Sequence, residues 1–346
     1  MSDMKLLPEW HHQSAVLIAW PHQDGDFKPW LAAVESNYAG IAQAILHYQP
    51  LIIACHDVQH EAHIRAQLAV DAGGGHTLTF VHVPYDDIWV RDTAPLTLGN
   101  GQALVLLDFR FNAWGGKYDC TQDQRLAAAV HASGVLGTAP LQPVDFVLEG
   151  GSIETDGHGT LLTTSFCLLN PNRNPEHDKA SIERVLRKNF GVERILWVEH
   201  GKADGDDTDA HIDTLARFCD AHTLAYTACH DHTDSQYDAL KAMEAQLATL
   251  TDKDGAPYRL LPLPIPAPIM GDDGSRLPAT YANFLIINGA VLVPVYGDTE
   301  ADAFAIRQLE QAFPDHRMIP VPCEALIRQF GSLHCMTMQF PDLQRS

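Results

Sequence analysis

One cysteine stands beside a histidine in the apolar segment FGSLHCMTMQF, residues 330–340, near the end of the 346-residue chain. Free cysteine is among the most buried residue types, so Cys335 taken alone is most simply a packed thiol. A cysteine becomes a nucleophile when a histidine or another cationic group favours its thiolate form. The role of Cys335 therefore depends on which other reactive groups the fold brings to it.

Three other stretches place charged groups beside β-rich apolar residues and glycine: DDIWVRDTAPL (86–96), FVLEGGSIETDGHG (146–159) and TDAHIDTLARF (208–218). Such contexts are typical of strand ends and turns that present side chains to a cleft. Each stretch could also have a purely structural role. Asp92 could cap a turn and pair with Arg91, and Glu149 could simply precede a turn. His211 and Asp213 could form a hydrogen-bonded core pair.

The combination of these groups changes the interpretation. Asp92, Glu149 and Asp213 supply three carboxylates, which is a surplus for acyl transfer, where the developing oxyanion needs hydrogen-bond donors. Carboxylates suit a substrate that is itself a cation. A guanidinium group is planar, carries five N–H donors and matches carboxylates bidentately. A cysteine, a histidine and several acids therefore indicate chemistry on a guanidinium carbon.

Composition limits the class of protein further. The chain has 44 acidic and 23 basic residues, a formal charge of −21. This charge disfavours nucleic-acid binding and attracts small cations, although it also serves solubility. Seven scattered cysteines without a CxxC pair favour a reduced, cytoplasmic compartment over a disulfide scaffold. We expect neither a signal peptide at the start MSDMKLLPEWHHQ nor a membrane span.

The elements that must position these groups form a recurring pattern. Strands are predicted at AVLIAWP (15–21), PLIIAC (50–55) and TLTFVHV (77–83), and hairpins at turns around Asn100-Gly101, Asp156-Gly157 and Asn288-Gly289. Helical periodicity appears at 30–48, 177–190, 235–250 and 300–313. The proline-rich segment 262–274 suits a linker or an edge strand with a loop. The pattern favours an α/β fold of several similar units.

Six motifs of the chain stand out: WVRDTAP, FNAWGG (111–116), LEGGSI, LLNPNRNP (168–175), HIDTLARF and the final HC before MTMQFP. Together they resemble the agmatine deiminase family. That family is part of a guanidino-group-modifying superfamily that also includes peptidylarginine deiminases. The resemblance runs from about residue 8 to residue 341. It implies a five-bladed α/β propeller of ββαβ-type units around a central active site, with residues 1–346 as a single catalytic domain. FGSLHC departs from the glycine-rich run that the family commonly has before its HC.

The resemblance also implies the site. Cys335 is expected as the nucleophile, His211 as the general acid and base, and Asp92 and Asp213 as the groups that hold the guanidinium. The residues expected to contact the substrate are Glu149, Trp89, Trp114, Asn112 and Gly150. The implied reaction converts agmatine to N-carbamoylputrescine and ammonia through a covalent amidino-cysteine, without metal or cofactor. Asp24 and Asp26 are candidates for the distal ammonium of the substrate, and a homodimer is a guess.

Other functions stay open from the sequence. An arginine or peptidylarginine deiminase of the same superfamily is the nearest alternative. Free arginine would need a cationic partner for its α-carboxylate, and the sequence indicates no obvious one. A metal-binding or sensor protein would use Cys229 with His222, His230 and His232. A thiol protease with a Cys-His-Asp triad would leave Asp92 and Glu149 without a role.

Overall fold

The computed structural model describes residues 3–68 and 75–342. Its strands are β1 (Lys5–Leu6), β2 (Gln13–Ala19), β3 (Leu51–Cys55), β4 (Leu78–His82), β5 (Leu96–Gly99), β6 (Leu104–Arg110), β7 (Leu141–Val147), β8 (Ile153–Thr155), β9 (Thr160–Thr164), β10 (Arg194–Val198), β11 (Ala216–Asp220), β12 (Thr223–Ala228), β13 (Arg259–Pro264), β14 (Leu285–Ile287), β15 (Ala290–Val295), β16 (Arg317–Pro322) and β17 (Thr337–Pro341). Its helices are α1 (Leu31–Tyr48), α2 (Val58–Leu68), α3 (Val90–Thr93), α4 (Ala113–Gly116), α5 (Leu126–Ala132), α6 (Ser165–Leu168), α7 (Lys179–Phe190), α8 (Tyr237–Leu247) and α9 (Thr299–Ala312).

The strands form five small sheets with one repeated path. The sheet orders are β1-β5-β6-β7, β10-β9-β8, β11-β12-β13, β14-β15-β16 and β17-β2-β3-β4. In each sheet an antiparallel pair is followed by a parallel neighbour, and the connection to that neighbour contains a helix. Parallel neighbours require such a crossover connection. These ββαβ units are the five blades of an α/β propeller.

The two ends of the chain share one blade. β17 pairs antiparallel with β2, with Thr337 opposite Ile18 and Phe340 opposite Ala15. The last strand therefore closes the ring against the first long strand. Cys335 lies two residues before β17, so closing the ring also determines where its thiol is placed.

The hydrophobic pattern explains why these segments form strands and helices. Every residue of the middle strands β9 and β12 is buried, because these strands have a strand on each side and packed layers on both faces. In α7, Ile182, Leu186 and Phe190 recur every four residues and are buried. Asp178 caps the start of this helix by accepting from the Ser181 N–H, and Gly191 ends it with a φ of 63°.

Most of the predicted elements are present. The three predicted hairpins join β5 to β6, β8 to β9 and β14 to β15, and Gly101, Gly157 and Gly289 have positive φ angles in their turns. The four periodic segments correspond to α1, α7, α8 and α9. Part of the proline-rich segment is the edge strand β13. None of the described helices combines the length and apolar character needed to cross a membrane.

Two glycines provide a matched test of this packing. A Cβ on Gly150 would lie 2.1 Å from the backbone oxygen of Arg91, whereas a Cβ on Gly40, on the exposed side of α1, would meet nothing within 4 Å. We expect Gly150→Ala to lower the free energy of unfolding by about 2 kcal/mol, because backbone must shift. Gly40→Ala should raise it by roughly 0.5–1 kcal/mol. Urea unfolding measures both, and equal stabilities would contradict the packing described.

Candidate active site

Cys335 is held by its backbone. Its N–H and the N–H of His334 both donate to the side-chain oxygen of Asn283, at 3.2 and 2.8 Å. Its carbonyl oxygen accepts from the Arg91 N–H at 3.1 Å. In the preceding loop, the Ser332 hydroxyl lies 2.8 Å from the Tyr296 hydroxyl and Leu333 is buried. The departure at FGSLHC is therefore accommodated by packing, and the cysteine lies on a well-anchored segment.

His211 and Asp213 come from a turn before β11. His211 immediately precedes the 3-10 turn Ile212–Thr214, with φ −54° and ψ 138°, and Asp213 is the middle residue of that turn. The approach to this turn is itself constrained, because Asp209 and Ala210 have φ angles of 64° and 65°. A turn, and not the two-residue alternation of a strand, brings the two side chains to the same place.

Asp92 lies in the single turn α3 and is 7% exposed. Its Oδ1 accepts from the Gly151 N–H at 2.9 Å, and its Oδ2 accepts from the Trp114 indole N–H at 2.9 Å. Trp114 holds a strained φ of 54°. Two donors from separate loops thus fix the orientation of this carboxylate.

These side chains converge on one small buried space. The Cys335 Sγ lies 3.6 Å from Asp213 Oδ2, and His211 Nδ1 lies 3.8 Å from Asp92 Oδ1. Gly151 leaves that space open, since a Cβ on it would lie 2.7 Å from His211 Nδ1 and 3.1 Å from an oxygen of each aspartate. Among the described residues, no group hydrogen-bonds to either ring nitrogen of His211. The imidazole is therefore free to exchange protons with a ligand.

The electrostatics of the site call for a cation. Burial raises the pKa of the Cys335 thiol well above its usual range, and the neighbouring charges of Asp213 and Asp92 raise it further. Burial also raises the pKa of Asp92. Burial would raise the pKa of Asp213 too, but the hydrogen bond and charge of His334 outweigh it, so this pKa is lowered. A cation between the carboxylates would offset both desolvation and repulsion.

Glu149 is a neighbour of His211. Both of its oxygens accept from Arg173 Nε, at 2.8 and 3.0 Å, and neither the Glu149 nor the Arg173 side chain is exposed. One nitrogen of His211, the Cys167 thiol and a Glu149 oxygen all lie within 4.8 Å of one another. Glu149 is thus adjacent to the predicted acid and base, but its charge is already paired with a guanidinium of the protein.

A cleft of about 420 Å³ leads to Cys335, and its space is partly open to solvent. The residues that line it are Asp26, Asp87, Trp89, Asp92, Trp114, Tyr118, Asp207, Thr208, Gln329, Phe330, Gly331 and Cys335. Trp89 and Trp114 supply aromatic surface to this lining. The described lining includes acids and aromatic groups but no lysine or arginine. The cleft therefore suits an elongated cation.

Some predicted contacts lie elsewhere. Asn112 is not in the described lining: its side-chain oxygen accepts from Gly115 N and its NH₂ group donates to Asn172 O, so it shapes the turn that carries Trp114. Gly150 is also absent from that lining. Asp24 lines a separate cavity beside His22, whereas Asp26 is at the cleft.

Arg91 does not pair with Asp92. Its side chain points to the other side of the backbone, where Nη1 donates to Gln339 Oε1 at 2.8 Å. The structural reading of Asp92 as an ion-pair partner of Arg91 is therefore wrong. The Asp92 carboxylate is therefore available to a ligand in the cleft.

Several groups at the site were missed from the sequence. These are Asn283, His334, Gly151, Asp87 and Arg173. Gly151 and His334 stand next to predicted residues in LEGGSI and HC, so their motifs were the available signal. Arg173 lies within LLNPNRNP, so its motif was also a signal. Asn283 acts across a long sequence separation, which local patterns do not reveal.

The possible metal ligands among the described residues form two buried groups, Glu149-Cys167-His211 and Glu9-Glu154-His334. In the first group, Glu149 is already paired with Arg173. In the second group, Arg217 donates to the carboxylates of both Glu9 and Glu154. The cluster expected for a metal-binding protein is not formed: His222 pairs with Asp252 at 2.8 Å, and His230 and His232 are exposed.

The same architecture occurs in known proteins. A sequence profile described as Porphyromonas-type peptidyl-arginine deiminase matches residues 5–341. The chain belongs to this family. It is similar to an agmatine deiminase of Stutzerimonas stutzeri (strain A1501), with 32% identity over 356 residues, covering 96% of this chain and 94% of the relative.

Solved structures of the family superpose closely. A cysteine-to-serine variant of C. jejuni agmatine deiminase with substrate bound has 35% identity and a TM-score of 0.90, covering 98% of this chain and 96% of that one. A Porphyromonas gingivalis protein, provisionally described as an arginine deiminase, has 42% identity and a TM-score of 0.89, covering 98% of each chain. Family membership thus includes relatives with differently named substrates.

The raised pKa of Cys335 predicts how its thiol reacts without substrate. Neutral iodoacetamide should alkylate Cys335 slowly at pH 7, with a rate that keeps rising beyond about pH 9, above the usual cysteine pKa of ~8.5. A positively charged haloamidine should react faster, because it can enter between Asp92 and Asp213. Peptide mass spectrometry isolates the reaction at residue 335, with Cys335→Ser as the blank. A plateau below pH 8 with the neutral reagent would contradict this electrostatic description.

Proposed function

We propose that this protein is an agmatine deiminase, a hydrolase that converts agmatine and water to N-carbamoylputrescine and ammonia. The observation that carries the proposal is that Cys335 and Asp92 line an acidic, aromatic cleft, with Asp213 beside the sulfur and His211 beside Asp92. Relatives named agmatine deiminase at 32–34% identity over nearly the whole chain support it. So does the substrate-bound variant of the C. jejuni enzyme in which a cysteine was replaced.

In the first half of the reaction, Asp92 and Asp213 hold the guanidinium by its N–H groups. This places the guanidinium carbon near the Cys335 sulfur at about 3–3.5 Å, the range of a near-attack geometry. The positive charge of the substrate lowers the pKa of the thiol beside it. His211 takes the thiol proton and the thiolate attacks the carbon. The His211 imidazolium then gives that proton to one terminal nitrogen, the C–N bond breaks, and that nitrogen leaves as ammonia.

The second half returns the enzyme to its starting state. The departure of ammonia leaves an amidino group bonded to Cys335 sulfur. His211, now neutral, takes a proton from a water molecule, whose oxygen attacks the amidino carbon. The C–S bond breaks as the hydroxyl proton of the adduct passes to the departing sulfur, which restores the thiol and releases the ureido product. His211 gives the proton that it took from water to solvent, where ammonia binds it. Glu149, held by Arg173, lies beside the His211 ring during both halves of the reaction.

Asp87 is the acid best suited to the distal ammonium. Burial raises its pKa to about 7, and the charges of Asp123 and Asp26 add to the rise. Asp207 is already bonded by the Tyr118 hydroxyl at 2.6 Å and by Lys117 at 3.1 Å. An alkylammonium beside Asp87 would ionise it and complete a charge pair. Trp89 and Trp114 would then flank the aliphatic stem.

The acidic lining argues against the alternative substrates. Free arginine would place its α-carboxylate in the region of Asp26, Asp87 and Asp207, and no described lysine or arginine lines the cleft to receive it. A peptide substrate would place additional bulk beside the same three acids. For a thiol protease, the hydrogen-bond partner of Cys335 would be expected to be histidine, whereas its sulfur faces Asp213.

Three broader predictions accompany the proposal. The whole chain is expected to act as one catalytic domain, which the pairing of β17 with β2 supports. A cytoplasmic location is supported by the seven free cysteines. A homodimer remains a prediction that rests only on how common dimers are.

Ammonia release across a substrate panel tests the function. Agmatine should be preferred over arginine by roughly 100-fold or more in kcat/KM, since an unpaired carboxylate beside acids is costly. Arginine esters and short arginyl peptides should also be poorer substrates than agmatine, because they add bulk beside the same acids. Cys335→Ala should abolish turnover while leaving the fold intact. Cys120→Ala, at a cysteine outside the cleft lining, is the matched control. Faster turnover of arginyl peptides, or an active Cys335→Ala variant, would overturn the proposal.

Asp87→Asn tests recognition of the ammonium. KM for agmatine should rise about tenfold or more with kcat little changed, because a hydrogen bond to a charged group is worth ~1.5–3 kcal/mol. KM for butylguanidine, which lacks the ammonium, should be unaffected. Asp24→Asn, outside the cleft, is the control. If both substrates respond equally to Asp87→Asn, Asp87 does not recognise the ammonium.

A further inference from the structure

His334 lies between two carboxylates beneath the reacting groups. Its Nδ1 is 2.8 Å from Asp213 Oδ2, and its Nε2 is 2.7 Å from Glu9 Oε2. The residue is 2% exposed, so water does not replace either contact. A neutral imidazole has one N–H donor and could satisfy only one of these carboxylates. Both contacts are hydrogen bonds when both ring nitrogens carry protons or when one carboxyl is protonated.

The surroundings decide between these two states. Glu9 also accepts from Arg217 Nη2 at 2.6 Å and from the Ile286 N–H at 2.7 Å. Burial would raise the pKa of Glu9, but Arg217 and His334 outweigh it and hold that pKa well below the usual range. Asp213 Oδ2, the other oxygen that faces the ring, also accepts from the Cys335 thiol, as an ionised carboxylate does. With both acids ionised, the two hydrogen bonds require an imidazolium.

We propose that His334 is a positioning residue for the deimination, an imidazolium that keeps Asp213 ionised and aims its Oδ2 at the substrate. The inference rests on the proposed function, because it concerns the carboxylate that would hold the guanidinium. The oxygen that His334 contacts is the same Oδ2 that lies 3.6 Å from the Cys335 sulfur. His334 touches this oxygen from below and does not line the cleft.

The need for such a group follows from the charges around it. The ionisable groups that face His334, or contribute to the potential there, are Asp213 and Cys335 at the site, Glu9 in the N-terminal segment, Glu154 on β8, Arg217 on β11, Arg91 on α3 and His211. Asp92 and Asp213 each raise the other's proton affinity when both are buried. Without the imidazolium, one of the two would retain a proton and could not grip the guanidinium as an anion.

His334→Asn removes the charge while an amide N–H can still donate to Asp213. The acid limb of the kcat/KM profile should move to higher pH by about 1–2 units, because Asp213 loses an adjacent cation. A purely structural role would lower the amount of folded enzyme without moving that limb. The control is His222→Asn, which makes the same change in a His222–Asp252 pair of the same length, 2.8 Å, outside the cleft lining. A folded His334→Asn enzyme with the wild-type acid limb would overturn the inference.

Nuclear magnetic resonance of the wild-type protein gives an answer even if the variant does not fold. In ¹⁵N-histidine-labelled enzyme at pH 8, the ring of His334, assigned through its connection to Cys335, should show protons on both nitrogens. One protonated nitrogen would overturn the inference. If no guanidine is turned over at all, the proposed function fails, while this measurement still reports on His334.

Discussion

Two buried carboxylates share one small space with a thiol, and this repulsive arrangement is what the rest of the structure has to sustain. Asp213 Oδ2 lies 3.6 Å from the Cys335 sulfur, and the charges of Asp92 and Asp213 both disfavour the thiolate. The unliganded site is therefore poorly suited to ionising its cysteine. A guanidinium reverses the balance, because it pairs with both acids and favours the thiolate beside them. In this account the substrate helps to activate the enzyme that modifies it.

The propeller keeps these like charges together through anchors that lie on different blades. Asp92 is oriented by Gly151 and Trp114, and the Cys335 segment is held by Asn283. Beneath them, the carboxylates of Glu9 and Glu154 are paired with Arg217. Buried ions tolerate such proximity only when each is paired or hydrogen-bonded. Pairing of the final strand with β2 then sets the position of the nucleophile relative to the other groups.

Much of this could be predicted from the sequence, for identifiable reasons. The hairpins carry Asn-Gly or Asp-Gly turns and the longer helices have clear apolar stripes, so both were predicted close to their observed bounds. The weakly amphipathic α2, in which only Ile64 and Leu68 are buried, gave no such signal. The five-bladed arrangement came from the family resemblance, since periodicity alone does not count blades.

The residues proposed to react could be named from the sequence, whereas most of the groups that orient them could not. Cys335, His211, Asp92 and Asp213 stand in distinctive motifs. Asn283 is a polar residue in ordinary surroundings, and only the fold reveals that it contacts the site. Arg173 stands in LLNPNRNP, but only the fold reveals that it pairs with Glu149. Asn112 shows the opposite error: it belongs to a motif, but its hydrogen bonds build a turn. A motif therefore marks a functional neighbourhood without separating the groups that touch substrate from those that shape the backbone.

A crystal structure of the Cys335→Ser variant with agmatine tests the central claim most directly. We expect the guanidinium carbon beside the serine oxygen, with N–H groups of the guanidinium bonded to both Asp92 and Asp213 and the ammonium toward Asp87. A guanidinium bound at the outer acids, with the space between Asp92 and Asp213 left without it, would contradict the account.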